Sequence, residues 1–130
     1  MAPESTELAR RLVACPRWEW LPGMRGVGSD CHEAHQAARV TLPDESPPGS
    51  QYDPWMPGSG SFPDLDDEVT RLAILAVVRR AWGHPHLVAV TLDAKEWCMG
   101  SVPHDCEPLW WSKGEPSEIA AFARALEAAP

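Results

Sequence analysis

The sequence predicts an α+β fold: a small antiparallel sheet of three to five strands, three helices packed on it, and a long proline-rich loop. Three observations carry this. Strand patterns cluster near residues 86–92, 96–102 and 109–111, between two helical patterns, and strands grouped in this way build an antiparallel sheet. One helix, from about Asp67 to Trp82, has clear start and stop signals. The 130 residues are 44% hydrophobic and 23% charged, a balance suited to one domain with one modest core.

The first element expected is a helix over 5–14, capped by Ser5 or Thr6, with Glu7 near the positive end of its dipole. Leu8, Leu12 and Val13 share a face. Cys15-Pro16 ends it, because the residue before proline is pushed out of the α region. Arg17 to Leu21 alternates and reads as a strand with Trp18 and Trp20 on one side. Pro22-Gly23 marks a turn. Residues 24–37 fit no single pattern, and Val40 to Leu42 reads as a second short strand.

Residues 43–63 hold six prolines. The segment is too proline-rich for a helix and too interrupted for a central strand. It also carries Tyr52, Trp55, Met56 and Phe62. Loops of this length are uncommon in compact domains unless they serve a function or stay disordered.

The next helix begins at the acidic run Asp66-Asp67-Glu68, with Asp66 or Asp67 as cap. Val69, Leu72, Ala73, Ala76 and Val77 form the expected buried stripe, widened by Ile74 and Leu75. Arg79 and Arg80 suit the negative end of the dipole, and Gly83 offers a left-handed stop before Pro85. His86 to Leu92 and Glu96 to Val102 read as a hairpin turning at Asp93–Lys95. Leu109 to Trp111 reads as a third short strand. The last helix is expected over 116–128, capped by Ser117 or Glu115, with Ile119, Phe122, Ala123 and Leu126 on its apolar face. The core is accordingly expected to contain Val69, Leu72, Ala76, Ile119, Phe122 and Leu126.

Eleven basic and nineteen acidic residues leave a net charge of −8. Such a balance argues against direct nucleic-acid binding, which needs clustered Lys and Arg. Seven of the acidic residues fall between Val40 and Thr70, where there is no Lys or Arg. A solvated loop and helix cap account for that asymmetry. The sharper reading is a surface for a partner protein with basic character, in which Tyr52, Asp53, Trp55, Asp64 and Asp66 take part. Tyr and Trp are enriched in binding hot spots, and charged residues commonly form their rim. No apolar run approaches the ~20 residues of a membrane helix, and the acidic N-terminus does not read as a signal peptide. The expected setting is therefore cytoplasmic, where Cys15, Cys31, Cys98 and Cys106 stay as thiols.

Three stretches together resemble a group of small uncharacterised proteins encoded by bacteriophages and prophages. These are Leu8-Ala-Arg-Arg-Leu12 leading into Trp18-Glu-Trp20-Leu-Pro-Gly-Met24, Pro63-Asp-Leu-Asp-Asp67 leading into Val78-Arg-Arg-Ala-Trp-Gly83, and the closing alanine-rich helix. More loosely, the pattern resembles the phage ABA sandwich domain, a sheet between helices. The resemblance implies a phage accessory protein in the host cytoplasm that binds a host protein and inhibits or modulates it. Counter-defence inhibitors, including anti-CRISPR proteins, are among such small acidic proteins. The group supplies no catalytic residues to carry over.

Cys31-His32-Glu33-Ala34-His35 is the most chemically suggestive run. Cys31, His32 and His35 are candidate zinc ligands, with a further ligand from Cys98, His104 or Cys106. The histidines are three apart, not four as in the helical zinc motif, and the simpler account is a polar loop or short helix. Cys98 and Cys106, with His104 and Asp105 nearby, could form a nucleophile arrangement, but catalytic partners usually meet in the fold rather than along the chain, and a buried Cys98 with a turn at His104-Asp105 is the simpler account. A non-enzymatic binding protein is the leading expectation. A small metal- or ligand-binding protein and a structural virion component are the alternatives.

Overall fold

The computed structural model describes residues 1–28, 39–40, 57, 60–92, 95–101 and 114–130. Among them it is α+β, with helices α1 (Pro3–Ala14), α2 (Glu68–Trp82) and α3 (Glu118–Glu127), and strands β1 (Gly26–Gly28), β2 (Ser61–Pro63), β3 (Leu87–Leu92) and β4 (Glu96–Ser101). The strands form two antiparallel ribbons, β1–β2 and β3–β4. Each ribbon has a rudimentary third edge. Arg39 bridges Arg25 beside β1, and Glu115 bridges Trp97 of β4 through backbone bonds of 2.8 and 3.1 Å. The expected strand over 109–111 lies outside the described residues.

Helix α3 organises the core. Ser117 caps it by accepting a hydrogen bond from the Ala120 amide. Ile119, Ala120, Ala121, Phe122, Ala123, Ala125 and Leu126 are all buried, so nearly the whole circumference is covered. Alanines let α1, α2, β3 and β4 approach it closely, and α3 contacts each of them. Burying each large side chain of α3 contributes about 1.5–3 kcal/mol. Trp82 ties α2 to α3 through an indole hydrogen bond of 2.8 Å to the Ala125 carbonyl.

Helix α2 starts and ends where its residues predict. Asp67 accepts from the Thr70 amide, and Gly83 closes the helix in the left-handed conformation at φ 62°. Its buried face differs from the expected one. Thr70, Ile74, Val77 and Val78 face inward, whereas Val69 and Leu72 are 50% and 65% exposed and Ala76 is half-buried. The cause is that α2 is apolar at most positions from Val69 to Val78, so spacing alone does not choose between two stripes. The β-branched stripe turned inward, where Thr70 also serves the loop beneath it. The expected burial of Ile119, Phe122 and Leu126 is observed.

Helix α1 begins earlier than expected, at Pro3, with Ala2 in the cap position and no side-chain cap. Proline's fixed φ pre-organises the first turn. Thr6 instead donates back to the Ala2 carbonyl at 3.2 Å. Cys15 ends the helix in an extended conformation, as Cys15-Pro16 predicts. The expected strand at Arg17–Leu21 does not form a ladder with any described residue. Trp18 and Trp20 do share a side, with ring centroids 5.4 Å apart and edge-to-face. Trp18, Trp20 and Leu21 pack against the core from a segment without strand pairing.

The backbone of Gly23–Gly28 is bonded on both sides. Met24 and its neighbour Gly23 exchange bonds of 2.8 and 2.9 Å with Val40, while the Arg25 carbonyl accepts from Asp64 at 2.9 Å. Gly28, at φ 129°, lies so close to β2 that a Cβ there would sit 2.8 Å from the Gly60 carbonyl oxygen. Only glycine fits such an approach. Thr41 and Leu42 lie outside the described residues.

Candidate functional site

The acidic run at the start of α2 is first of all a clasp. Asp67 holds Arg39 in a two-pronged ion pair, with both N–H···O distances 2.7 Å. The same carboxylate accepts from the Thr70 amide at 2.9 Å and from the Thr70 hydroxyl at 2.7 Å. Thr70 in turn accepts from the Arg25 amide at 2.8 Å, and Arg39 also donates to the Gly23 carbonyl at 2.9 Å. One network therefore joins the turn at 23–25, Arg39 and the first turn of α2. The Arg39 hydrogen bonds, followed by those from Thr70, hold the Asp67 carboxyl well below the usual carboxylate range.

Two sequence-predicted contact residues lie beside this clasp. Asp64 is 15% exposed, 3.6 Å from Arg25 Nε, and its Oδ1 accepts from the Asp66 amide at 3.0 Å. It works inward. Asp66 is 66% exposed and 3.5 Å from the terminal amine of Met1. It is the one of the pair that presents charge outward. Tyr52, Asp53 and Trp55 lie outside the described residues, as do Cys31, His32 and His35. Among the described residues no group of three or more His, Cys, Asp or Glu is placed to hold a metal ion. Cys15 and Cys98 are both buried. Cys15 donates to the Arg11 carbonyl at 3.3 Å, and burial pushes its thiol up, away from the reactive thiolate.

A second surface was not anticipated from the sequence. Helix α1 and the entry to α3 frame a groove of about 490 Å³. Pro3, Leu8, Pro116 and Ala120 give it an apolar lining, and Glu4, Glu7 and Glu115 stand at its rim. Arg11 also lines it, but Glu127 meets that guanidinium at 2.7 Å and raises its pKa further. The rim is therefore net acidic. Glu4 and Glu7 are three apart on α1 and share a face, which the sequence does show. Glu115 is more than a hundred residues away and joins them only because its backbone bridges Trp97 at the entry to α3.

At the far end of α2 the charge reverses. Ala76, Arg79, Arg80, Gly83, His84 and Pro85 line a shallow recess of about 420 Å³. Arg79 donates to the Leu87 carbonyl at 2.8 Å, and Arg80 pairs with Glu19 at 2.7 Å while staying 64% exposed. The arrangement offers surfaces of opposite sign and graded polarity. The chain matches no protein-family model, no curated protein and no solved structure. No helix among the described residues is long and apolar enough to cross a membrane.

Proposed function

We propose that this chain is a non-enzymatic accessory protein of phage type, acting in the host cytoplasm by covering a basic surface of a host protein and so inhibiting or modulating it. A counter-defence role of the anti-CRISPR kind belongs to this class of action. The observation that carries the reading is the apolar groove between α1 and α3 with Glu4, Glu7 and Glu115 at its rim. An apolar floor inside a charged rim is how protein contacts are commonly built. The net charge of −8 adds long-range attraction to a basic partner. The groove receives an apolar side chain flanked by Lys or Arg. Tyr52, Asp53 and Trp55, with Asp66, belong to the same proposal as a second contact region read from the sequence.

The test is affinity capture from host lysate at low and at high salt, followed by an activity assay on the captured protein. Wild type captures a basic protein, more at low salt, and alters its activity. Glu4→Gln/Glu7→Gln weakens capture while its melting temperature stays close to wild type, because both side chains are exposed and no cation is placed at the start of α1. Capture that is unchanged by this double neutralisation and by Trp55→Ala would overturn both contact regions. An acidic captured protein, or one whose activity is unaffected, would overturn the mode of action.

A further inference from the structure

We propose that the outer edge of β3 is a docking site for an extended segment of another protein, uncharged except for one Asp or Glu. The segment adds to the β3–β4 ribbon as an antiparallel strand, pairs with Ala89 and Thr91, and sets its carboxylate against Arg79.

The open edge follows from the parity of the ladder. Trp97 exchanges both of its backbone bonds with Glu115, so its N–H and C=O point away from β3. Thr91 lies opposite Trp97, and their pair is therefore of the non-hydrogen-bonded kind. Pairs of the two kinds alternate along an antiparallel ladder, so Leu87, Ala89 and Thr91 all turn their backbone groups away from β4. Leu87 shows where those groups point. Its carbonyl accepts from Arg79 Nε at 2.8 Å, and its amide donates to the His84 carbonyl at 3.4 Å. Ala89 and Thr91 follow on the same edge. Among the described residues no strand pairs with them there. Ala89 is half-buried and Thr91 exposed, so an incoming strand has access. Sheet edges are usually blunted by a charge, a proline or a bulge. The run Leu87-Val-Ala-Val-Thr-Leu92 pairs with β4 without a bulge and holds no charge or proline.

The charge at one end names the occupant. Arg79 is half-buried and fastened to Leu87 through Nε, which leaves four N–H donors on its guanidinium. Among the described residues no carboxylate pairs with it. Because Arg79 occupies the Leu87 carbonyl, an added strand stops pairing after Ala89 and runs onto the guanidinium. A strand antiparallel to β3 arrives there by its C-terminal end. Its residue two places past the one facing Ala89 lies on the same side as Leu87 and Ala89. Those two residues pack on the core that α2 shares, and α2 carries Arg79. An Asp or Glu at that place meets the guanidinium. The net charge of −8 repels a generally acidic partner at long range, which confines the segment's charge to this one group. Backbone bonds then supply the affinity and the carboxylate fixes the register, as in other strand additions. The edge shares no residue with the groove between α1 and α3, and its occupant is a separate ligand.

Hydrogen exchange of the full chain, followed by NMR with and without the blocked peptide Ser-Val-Thr-Val-Thr-Val-Asp-Ser, tests the docking. The amides of Ala89 and Thr91 slow about tenfold as the peptide saturates, whereas those of Val88 and Val90, already bonded to β4, do not change. Methylating the backbone nitrogen of the threonine two before the aspartate, which faces Ala89, abolishes binding. Methylating the valine between them leaves binding intact, since that N–H points away from β3. Asparagine in place of the aspartate weakens binding about tenfold. Arg79→Gln weakens the aspartate peptide to the same level and leaves the asparagine peptide unaffected. The peptide variants keep the test decisive where Arg79→Gln loosens the edge itself. No slowing at Ala89 and Thr91 at millimolar peptide overturns the proposal. So does equal binding of the two methylated peptides, or of the aspartate and asparagine peptides. Protection of both amides in the chain alone also overturns it: another segment of this chain then covers the edge, or a second copy does if the protection grows with chain concentration.

Discussion

Helices α2 and α3 use similar residues to opposite effect. In α3, small alanines alternate with Ile119, Phe122 and Leu126, and the helix is buried almost all round. In α2, larger residues appear on both sides, and one side stays outside. Burial thus follows what the neighbours can reach rather than how hydrophobic the residue is. Alanine on several faces lets four elements close in on α3, whereas Leu72 and Val69 keep one face of α2 at a distance. Polar anchoring reinforces the choice. Thr70 is drawn inward because Asp67 and the Arg25 amide both need its hydroxyl.

The largest expected effect comes from the helix that is enclosed. Phe122 is 2% exposed at the centre of α3. Phe122→Ala should cost about 3–5 kcal/mol by urea denaturation, from the transfer energy of the ring and the cavity left behind. A cost under about 1 kcal/mol would show that α3 is not the centre of the core, and the comparison with α2 would collapse.

An intermediate effect is expected where α2 is fastened. Asp67→Asn keeps a side chain able to cap the helix but removes the charge that pairs with Arg39. It should destabilise by roughly 1–2 kcal/mol at neutral pH, since the Arg39 side of the pair remains partly in solvent. The sign with pH follows from the depressed carboxyl. A group whose folded pKa lies below its unfolded value contributes fully above that unfolded value, near ~3.9, and loses its contribution as pH falls through the folded one. The difference between wild type and Asp67→Asn should therefore narrow from about pH 5 downward. Parallel stability curves from neutral to acid pH would mean that the Arg39 pair adds nothing to the fold.

Much of the fold was legible where local chemistry decides it. Asp67, Gly83, Ser117 and the Cys15-Pro16 junction mark helix ends by hydrogen bonding and steric limits that act within a few residues. The β3–β4 hairpin followed from two adjacent apolar runs. What the sequence concealed depends on distant partners. The β1–β2 ribbon joins segments more than thirty residues apart through glycine and proline, which carry no strand preference. Trp18 and Trp20 alternate like a strand, yet no described residue supplies a ladder. The inward phase of α2 is fixed by Arg25 and Arg39, neither of which belongs to that helix. The groove at Glu4, Glu7 and Glu115 is hidden for the same reason, since its rim closes only across the fold.

The smallest expected effect lies on the outward face of α2. Spacing alone placed Leu72 in the core, where truncation to alanine would cost about 2–5 kcal/mol. With 65% of its surface in water, Leu72 has little burial to give up. Alanine is also the slightly better helix former, which offsets the modest packing of the leucine along its own helix. Leu72→Ala should therefore change the unfolding free energy by no more than about 0.5 kcal/mol when measured at low protein concentration. A penalty of about 2 kcal/mol or more would place Leu72 inside the folded core, and the contrast between the two helices would fail.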